Sequence, residues 1–411
     1  MDANPPAAEL APFDPASLRD NSLLARVLRW GLDHLGPVFA VLRRFWPNLR
    51  LSTLVILTGR EDVEAVLADT EAFHVRFGTR VADQHPGRGP VFGLGTDGAS
   101  YAPALKQVSA TMGFGDLPWV AGMLRGYVAP QVATAQCVDL GALARLAQAE
   151  LGRRYLGLSI TPEVLPQFAL WCLAMGNYAF GPQKPGSKAE TAARGAGERV
   201  AALMQVSIAH ARVDPDPDML LGRLIAVGLD DATIDATLTG LLCALVPAST
   251  LAILHSAQVL LARPEAMAVS RAAALADDDE ALGRCLLEAV RFKPIFPGPF
   301  RDCVMDRIIA DGTSRKILVR AGDLVLPATQ SAMMDRRRVT DPGVFNPGRP
   351  AADTLVFGFG RHWCFGFAVG QIQLVETLKP LLKRGFSQSR TDRADTRYFG
   401  TVPEHLPVQL G

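Results

Sequence analysis

The sequence predicts a mainly helical protein with a small β-rich lobe. Helical spacing of apolar residues dominates from 101 to 290. After Arg301 the period shortens to that of strands, at 308–310, 317–319 and 324–326, separated by Asp311-Gly312 and Ala321-Gly322-Asp323 turns. A further strand is predicted over 49–58, where leucine and β-branched residues crowd together. Gly59-Arg60-Glu61-Asp62 then opens a helix whose buried face carries Val63, Val66 and Leu67.

Residues 1–20, rich in Ala, Pro and Asp, lack the basic start and apolar run of a secretory signal and read as a flexible tail. Residues 22–46 are apolar, but Arg26, Arg29, Asp33, His34, Arg43 and Arg44 interrupt them, so an amphipathic helix is expected rather than a membrane span. The segment 77–100 is dense in Gly, Pro, Asp and His and reads as a long functional loop with short helical pieces. Polar breaks at 181–187 and 214–218 divide the helical region, and the acidic run 277–280 reads as a solvated helix entrance. No internal repeat is found.

With 42 Lys and Arg against 41 Asp and Glu, the chain has no net field for nucleic acid or anionic lipid. Its 411 residues, 49% hydrophobic, support a large core. The six cysteines, at 137, 172, 243, 285, 303 and 364, are scattered without the spacing of a disulfide framework or zinc site. Five are read as small buried hydrophobes, and the chain as a cytoplasmic protein.

The sixth carries the chemistry. Cys364 lies in Phe357-Gly358-Phe359-Gly360-Arg361-His362-Trp363-Cys364-Phe365-Gly366, followed by a helix-like run over 365–372 whose free N–H groups favour a thiolate. A cysteine framed by glycines, an aromatic and a basic residue reads as the thiolate ligand of a haem iron. Gly360 and Gly366 are expected to let backbone approach a flat ring, and His362 to bond a haem propionate.

This decapeptide resembles the cytochrome P450 signature Phe-x-x-Gly-x-His/Arg-x-Cys-x-Gly. Glu288-x-x-Arg291 resembles the family's Glu-x-x-Arg pair, and Phe345-Asn346-Pro347-Gly348-Arg349 the segment that closes a buried ion network with it. The resemblance implies one domain over 21–411, a triangular helical prism with a small β-rich lobe, binding haem b (iron protoporphyrin IX). It also implies a haem contact set of Cys364, His362, Arg301, Phe357, Gly358, Gly360, Gly366 and Tyr101, with Glu288, Arg291 and Arg349 as the ion network.

Two departures stand out. Relatives carry an acid followed by threonine in the long central helix, where they deliver protons to dioxygen on the side opposite the cysteine. Here those positions fall on Pro247 and Ala248, with Ser249 and Thr250 next and no carboxylate between Asp235 and Glu265. Pro247 removes an N–H that would bond the Cys243 carbonyl, which either kinks the helix and frees an acceptor over the haem or merely replaces a groove that relatives make with glycine. Relatives also place His-x-x-x-Arg where this chain has Tyr101-Ala102-Pro103-Ala104-Leu105.

By resemblance, substrate contacts come from 77–100, 177–206, the central helix near Leu245 and Val246, the run with Phe296, Pro297 and Phe300, and the turn at Thr401 and Val402. The expected activity is monooxygenation of a small lipophilic substrate, with electrons from a ferredoxin-type redox partner and the protein acting as a monomer. The missing acid keeps a second reading open, a peroxide-dependent peroxygenase or organic-hydroperoxide isomerase or dehydratase. A third is a non-catalytic haem or ligand-binding protein.

Overall fold

The strand predicted over 49–58 folds as a hairpin in the computed structural model, which describes residues 13–19, 31, 34–84, 93–181, 186–388 and 398–411. Helix α1 (Leu35–Phe45) leads into β1 (Asn48–Leu51) and β2 (Leu54–Leu57), which pair antiparallel across a turn where Ser52 takes φ 56°. The reversal is masked in the sequence because neither glycine nor proline marks it. Helix α2 (Arg60–Ala68) follows, burying Val63, Val66 and Leu67 as predicted, and then β3 (Phe73–Val75).

The 77–100 segment holds helix α3 (Phe77–Asp83) and a 3-10 turn at Gly93–Gly95; its stretch 85–92 lies outside the described residues. Helices α4 (Tyr101–Thr111) and α5 (Leu117–Ala133), strand β4 (Cys137–Asp139) and helices α6 (Leu140–Leu156) and α7 (Leu165–Phe180) come next. Of the break at 181–187, residues 182–185 lie outside the described residues, and the Ser187 hydroxyl accepts the Glu190 N–H to cap helix α8 (Lys188–Val213). The second break separates α8 from α9 (Leu220–Ala226).

Helix α10 (Asp231–Ala262) is long and apolar enough to cross a membrane, yet 67% of its most apolar window is buried within the protein, as in a core helix. Helix α11 (Pro264–Leu275) precedes α12 (Asp279–Phe292), whose acidic entrance is capped where Asp278 accepts the Ala281 N–H. Strands β5 (Arg301–Cys303), β6 (Arg307–Ile309), β7 (Ile317–Val319) and β8 (Leu324–Pro327) match the predicted shift in period, and helix α13 (Thr329–Ala332) follows. The chain ends with α14 (Phe367–Arg384), β9 (Phe386–Gln388), β10 (Tyr398–Phe399), β11 (Val402–Pro403) and β12 (Pro407–Leu410).

By its contacts the chain divides into two compact units. One comprises Met1–Asp20, Phe77–Leu254 and Ala368–Gly411; the other comprises Asn21–Arg76 and His255–Phe367. The second holds a five-stranded sheet in the order β1-β2-β8-β5-β3, with β2 and β8 parallel, over a core of Val55, Leu57, Phe73, Val319 and Val325. The first holds the β4-β12-β9 sheet among its helices.

Of the expected N-terminal tail, residues 1–12 and 20 lie outside the described residues. Residues 13–19 form a 3-10 turn that buries Phe13 and Leu18 and pairs Arg19 with Glu404 at 2.5 Å. Among the five cysteines read as buried, Cys172, Cys243, Cys285 and Cys303 are buried, but Cys137 is exposed at the start of β4.

Candidate functional site

The loop carrying Cys364 is shaped almost entirely by its own backbone. Phe357 O accepts the Cys364 N–H at 2.8 Å, Leu355 O accepts the Gly358 N–H at 2.9 Å, and Gly360 O accepts the Trp363 N–H at 3.1 Å. Gly358 and Gly360 sit at φ 81° and 70°, values that side-chain-bearing residues rarely adopt. Gly360 has a second constraint that differs from its expected approach to a flat ring: a Cβ would stand 3.2 Å from Leu67 O and 3.5 Å from Ala68 Cα, at the end of α2. Gly366 has open space where its Cβ would be.

Phe357, Trp363 and Phe367 form an aromatic cluster beside the cysteine, with Trp363 and Phe367 centroids 4.3 Å apart. Cys364 has an exposed surface, yet the atoms packed around its sulfur dominate its electrostatics. Burial pushes the thiol up, and a hydrogen bond from the Gly366 N–H opposes that push without cancelling it. A nearby positive charge is therefore needed to hold Cys364 as a thiolate at neutral pH. The following residues, Phe365 to Ile372, are half-buried throughout, which leaves the apolar start of α14 partly uncovered.

In the same unit, Glu288, Arg291 and Arg349 form a buried network ahead of this loop. Arg291 Nε and Nη2 reach the two Glu288 oxygens at 2.7 and 2.8 Å, and Glu288 Oε1 also accepts from Arg349 Nε at 3.3 Å and the Asn346 N–H at 3.0 Å. The guanidinium groups spend their other donors on carbonyls of Met333, Pro342, Thr340 and Asp341. Arg301, 5% exposed in β5, donates to Pro299 O and Phe300 O. His362 ends the 3-10 turn Gly360–His362. Phe296 and Pro297 are half-buried, but Phe300 packs on the cluster of Phe39, Leu326 and Ala328, so it serves the core more than the wall expected of it.

In the other unit, the faces of α10 are assigned by their neighbours. Leu242, Val246 and Leu245 approach Gly152 of α6, and Pro247 and the Cys243 carbonyl face Gly176 of α7. Leu241, Ala244, Leu245 and Ala248 are half-buried and share the remaining side. Val246, expected to line a substrate pocket, is 0% exposed and belongs to the core. The Cys243 carbonyl that Pro247 leaves without its helical donor is turned toward α7, where a Gly176 Cβ would meet it at 2.6 Å and the proline ring at 2.3 Å.

Both hydroxyls after Ala248 are committed. Thr250 Oγ1 donates to Val246 O at 2.7 Å, one turn back. Ser249 Oγ donates to Gln373 Oε1 at 2.6 Å; Gln373 Nε2 donates to Gln148 Oε1 at 2.7 Å, and Gln148 Nε2 to Thr377 Oγ1 at 3.2 Å. This buried chain joins α10, α14 and α6. Sequence reasoning missed Gln148 and Gln373, although a glutamine on an otherwise apolar helix face is the available signal. Tyr101 opens α4 and is buried, and Val402 is buried in β11.

No protein-family model matches this chain. It is 33% identical over 178 residues to nocardicin C N-oxygenase of Nocardia uniformis subsp. tsuyamanensis, 42% of each chain. It is 30% identical over 181 residues to cytochrome P450 165C4 of Amycolatopsis orientalis, covering 43% of this chain and 42% of that one. A third relative is a bifunctional dioxygenase–epoxy alcohol synthase of Pyricularia oryzae, 31% identical over 121 residues, 29% of this chain and 10% of that protein. The chain spans between 9% and 48% of the length of such relatives. Among solved structures, an open form of cytochrome P450 EryK from S. erythraea superposes with TM-score 0.75 at 22% identity, covering 92% of this chain and 96% of that one. P450BioI, solved with an acyl carrier protein ligated to hexadec-9Z-enoic acid, gives 0.77 at 19% identity, covering 93% and 100%. The chain therefore has the fold of the cytochrome P450s, and over part of its length it is similar in sequence to members of that family.

Proposed function

We propose that the protein is a haem-thiolate oxidoreductase, a cytoplasmic monooxygenase that inserts one oxygen atom into a small lipophilic molecule with electrons from a ferredoxin-type partner. The observation that carries this reading is the loop 357–366, which presents one cysteine sulfur to a backbone N–H at the start of a helix. One thiolate suffices for haem iron because the macrocycle supplies four nitrogens. Among the described residues no group of three or more His, Cys, Asp or Glu gathers, so the donor set here fits haem rather than a metal caged by side chains.

Cys364 would ligate the iron. Arg301 and His362 would meet the propionates, and Phe357, Gly358, Gly360 and Gly366 would shape the cradle. Bound haem supplies the oxygen-activating redox chemistry. The chain contributes charge, exclusion of water and proton positions. The Gly366 N–H stabilises negative charge on Cys364 Sγ, and the raised thiol means that deprotonation accompanies metal binding. In α10, Ser249 Oγ holds its proton on Gln373 and Thr250 Oγ1 on Val246 O, so proton delivery falls to water rather than to a free alcohol.

That arrangement favours one alternative. With Pro247 and Ala248 at the acid and alcohol positions and both following hydroxyls committed, α10 suits an oxidant whose oxygen–oxygen bond is already reduced, as in peroxide-dependent chemistry. The test is product analysis on lipophilic compounds in two arms: oxygen-18 gas with a ferredoxin–reductase couple, and unlabelled peroxide without reductase. Labelled product in the first arm supports monooxygenation. Product in the second arm alone moves the protein to the peroxide-dependent class.

A further inference from the structure

Helix α1 is apolar on two sides, and only one of them is covered. Phe39 is buried with Leu326 and Ala328, and Leu35 and Leu42 pack beside them. Val38, Val41 and Phe45, spaced i, i+3 and i+7, form a second stripe that faces solvent. Trp46 follows at the end of the helix, its ring centroid 5.9 Å from that of Phe45. Leu51 ends the edge strand β1 opposite Leu54, which packs on the Phe39 cluster, so Leu51 lies on the face of the sheet that carries α1. These five side chains are 49 to 64% exposed.

The charge beside the stripe is one-sided. Residues 34–60 contain Arg43, Arg44, Arg50 and Arg60 and no Asp or Glu. Arg43 Nη1 donates to Ser331 O at 2.9 Å and Ser331 Oγ at 2.6 Å, which pins the last turn of α1 to α13. The exposed run Arg336-Arg337-Arg338 is thereby brought to this end of the helix: burial lowers the Arg43 pKa, and Arg337 and Arg336 lower it further against the opposing pull of Asp335. Arg50, Arg60, Arg337 and Arg338 are paired with Asp323, Glu64, Asp335 and Glu61. Among the described residues, Arg44 and Arg336 have no carboxylate partner, and both are exposed.

We propose that the exposed stripe of α1 and its flanking arginines form a docking surface for an anionic phospholipid bilayer, on which the protein rests without a spanning segment. A stripe ending in Phe and Trp can enter the headgroup boundary while neighbouring guanidiniums stay with the phosphates. A second copy of this chain is a poor occupant, because a two-fold contact apposes the same patch on both subunits and would set these arginines against each other. Across the whole chain the charges nearly cancel, but at physiological salt only charges within about 8 Å are felt strongly, and the unpaired ones beside this stripe are cationic.

Haem-loaded full-length protein is sedimented with vesicles of phosphatidylcholine alone, or of equal parts phosphatidylcholine and phosphatidylglycerol. It should bind the mixed vesicles at about 0.1 M salt and lose about tenfold in partitioning at high salt or on phosphatidylcholine alone. Phe45→Ser with Trp46→Ser, and separately Arg44→Glu with Arg336→Glu, should each weaken binding about tenfold while circular dichroism is unchanged, since all four side chains are exposed. Brominated lipid should quench the tryptophan fluorescence of the unaltered protein, and less so that of Trp46→Phe, which reads the contact without either double variant. Failure to bind the mixed vesicles, equal binding to phosphatidylcholine alone, or binding that both double variants retain overturns the assignment. Self-association in sedimentation velocity that Phe45→Ser with Trp46→Ser abolishes, without vesicle binding, overturns it in favour of a second copy.

Discussion

Around the cysteine loop the bonds that shape it are local in sequence, none joining residues more than seven apart: Phe357 to Cys364, Leu355 to Gly358, Gly360 to Trp363. In α10 between 243 and 250 the decisive contacts are distant. Pro247 is fitted by Gly176 of α7, and Ser249 is bound by Gln373 of α14, 124 residues away. A group whose job is to present one atom can be built locally from glycine geometry and a helix start. A helix face whose hydroxyls either serve or do not serve chemistry is decided by its neighbours. The residue types at 249 and 250 suggest proton donors, and only the tertiary structure shows that Gln373 and the Val246 carbonyl accept from these hydroxyls.

The comparison can be strained from the side of the loop first. Glu288→Ala leaves the Arg291 and Arg349 guanidiniums without their buried carboxylate, and should cost about 3–5 kcal/mol in chemical denaturation. Replacing it with an equally stable variant would show that the loop needs no such support from the preceding segment.

On the α10 side, Gly176→Ala gains helix propensity of up to about 1 kcal/mol but places a methyl on the proline ring and the Cys243 carbonyl, so a net loss of about 1–3 kcal/mol is expected. Adding Pro247→Ala should recover part of it, and purely additive effects in that double-mutant cycle would refute the fit. Ser249→Ala leaves Gln373 Oε1 without its donor and should destabilise by about 1–2 kcal/mol. Under the proton reading above it should leave the coupling of oxygen use to product unchanged; a sharp rise in uncoupled turnover would restore Ser249 as a proton carrier.

The smallest effect is in acid. Burial pushes the Asp116 carboxyl up, but hydrogen bonds from Arg223 and Tyr155 outweigh it, and its pKa falls below the ordinary value. A depressed carboxylate contributes stability that is present above its unfolded pKa of about 3.9 and lost as pH falls through its folded value. Asp116→Asn should therefore lower stability at neutral pH and flatten the pH dependence below about pH 4, as followed by circular dichroism. An unchanged acid slope would place the sensitivity elsewhere, with Asp335, held down by Arg337 and the Arg60 N–H against burial, the next group to replace.

Much of the architecture was legible. The helices after 101 and the strands after 301 follow from periodicity, and the Cys364 loop from ten consecutive residues. The hairpin at Ser52 escaped because a turn made of Ser and Thr carries no glycine or proline signal. Val246 was misassigned to a pocket because one sequence does not reveal which side of an all-apolar helix meets Gly152. The Ser249–Gln373–Gln148–Thr377 chain was beyond reach because its members lie on three helices far apart in sequence, and only tertiary packing aligns them.

The central claim is that Cys364 supplies a thiolate to haem iron, and the reduced carbon monoxide difference spectrum tests it most directly. The haem-loaded protein should give the thiolate-ligated type, and Cys364→Ala should lose it entirely while keeping its fold by circular dichroism. A thiolate-type spectrum that survives in Cys364→Ala would contradict the account.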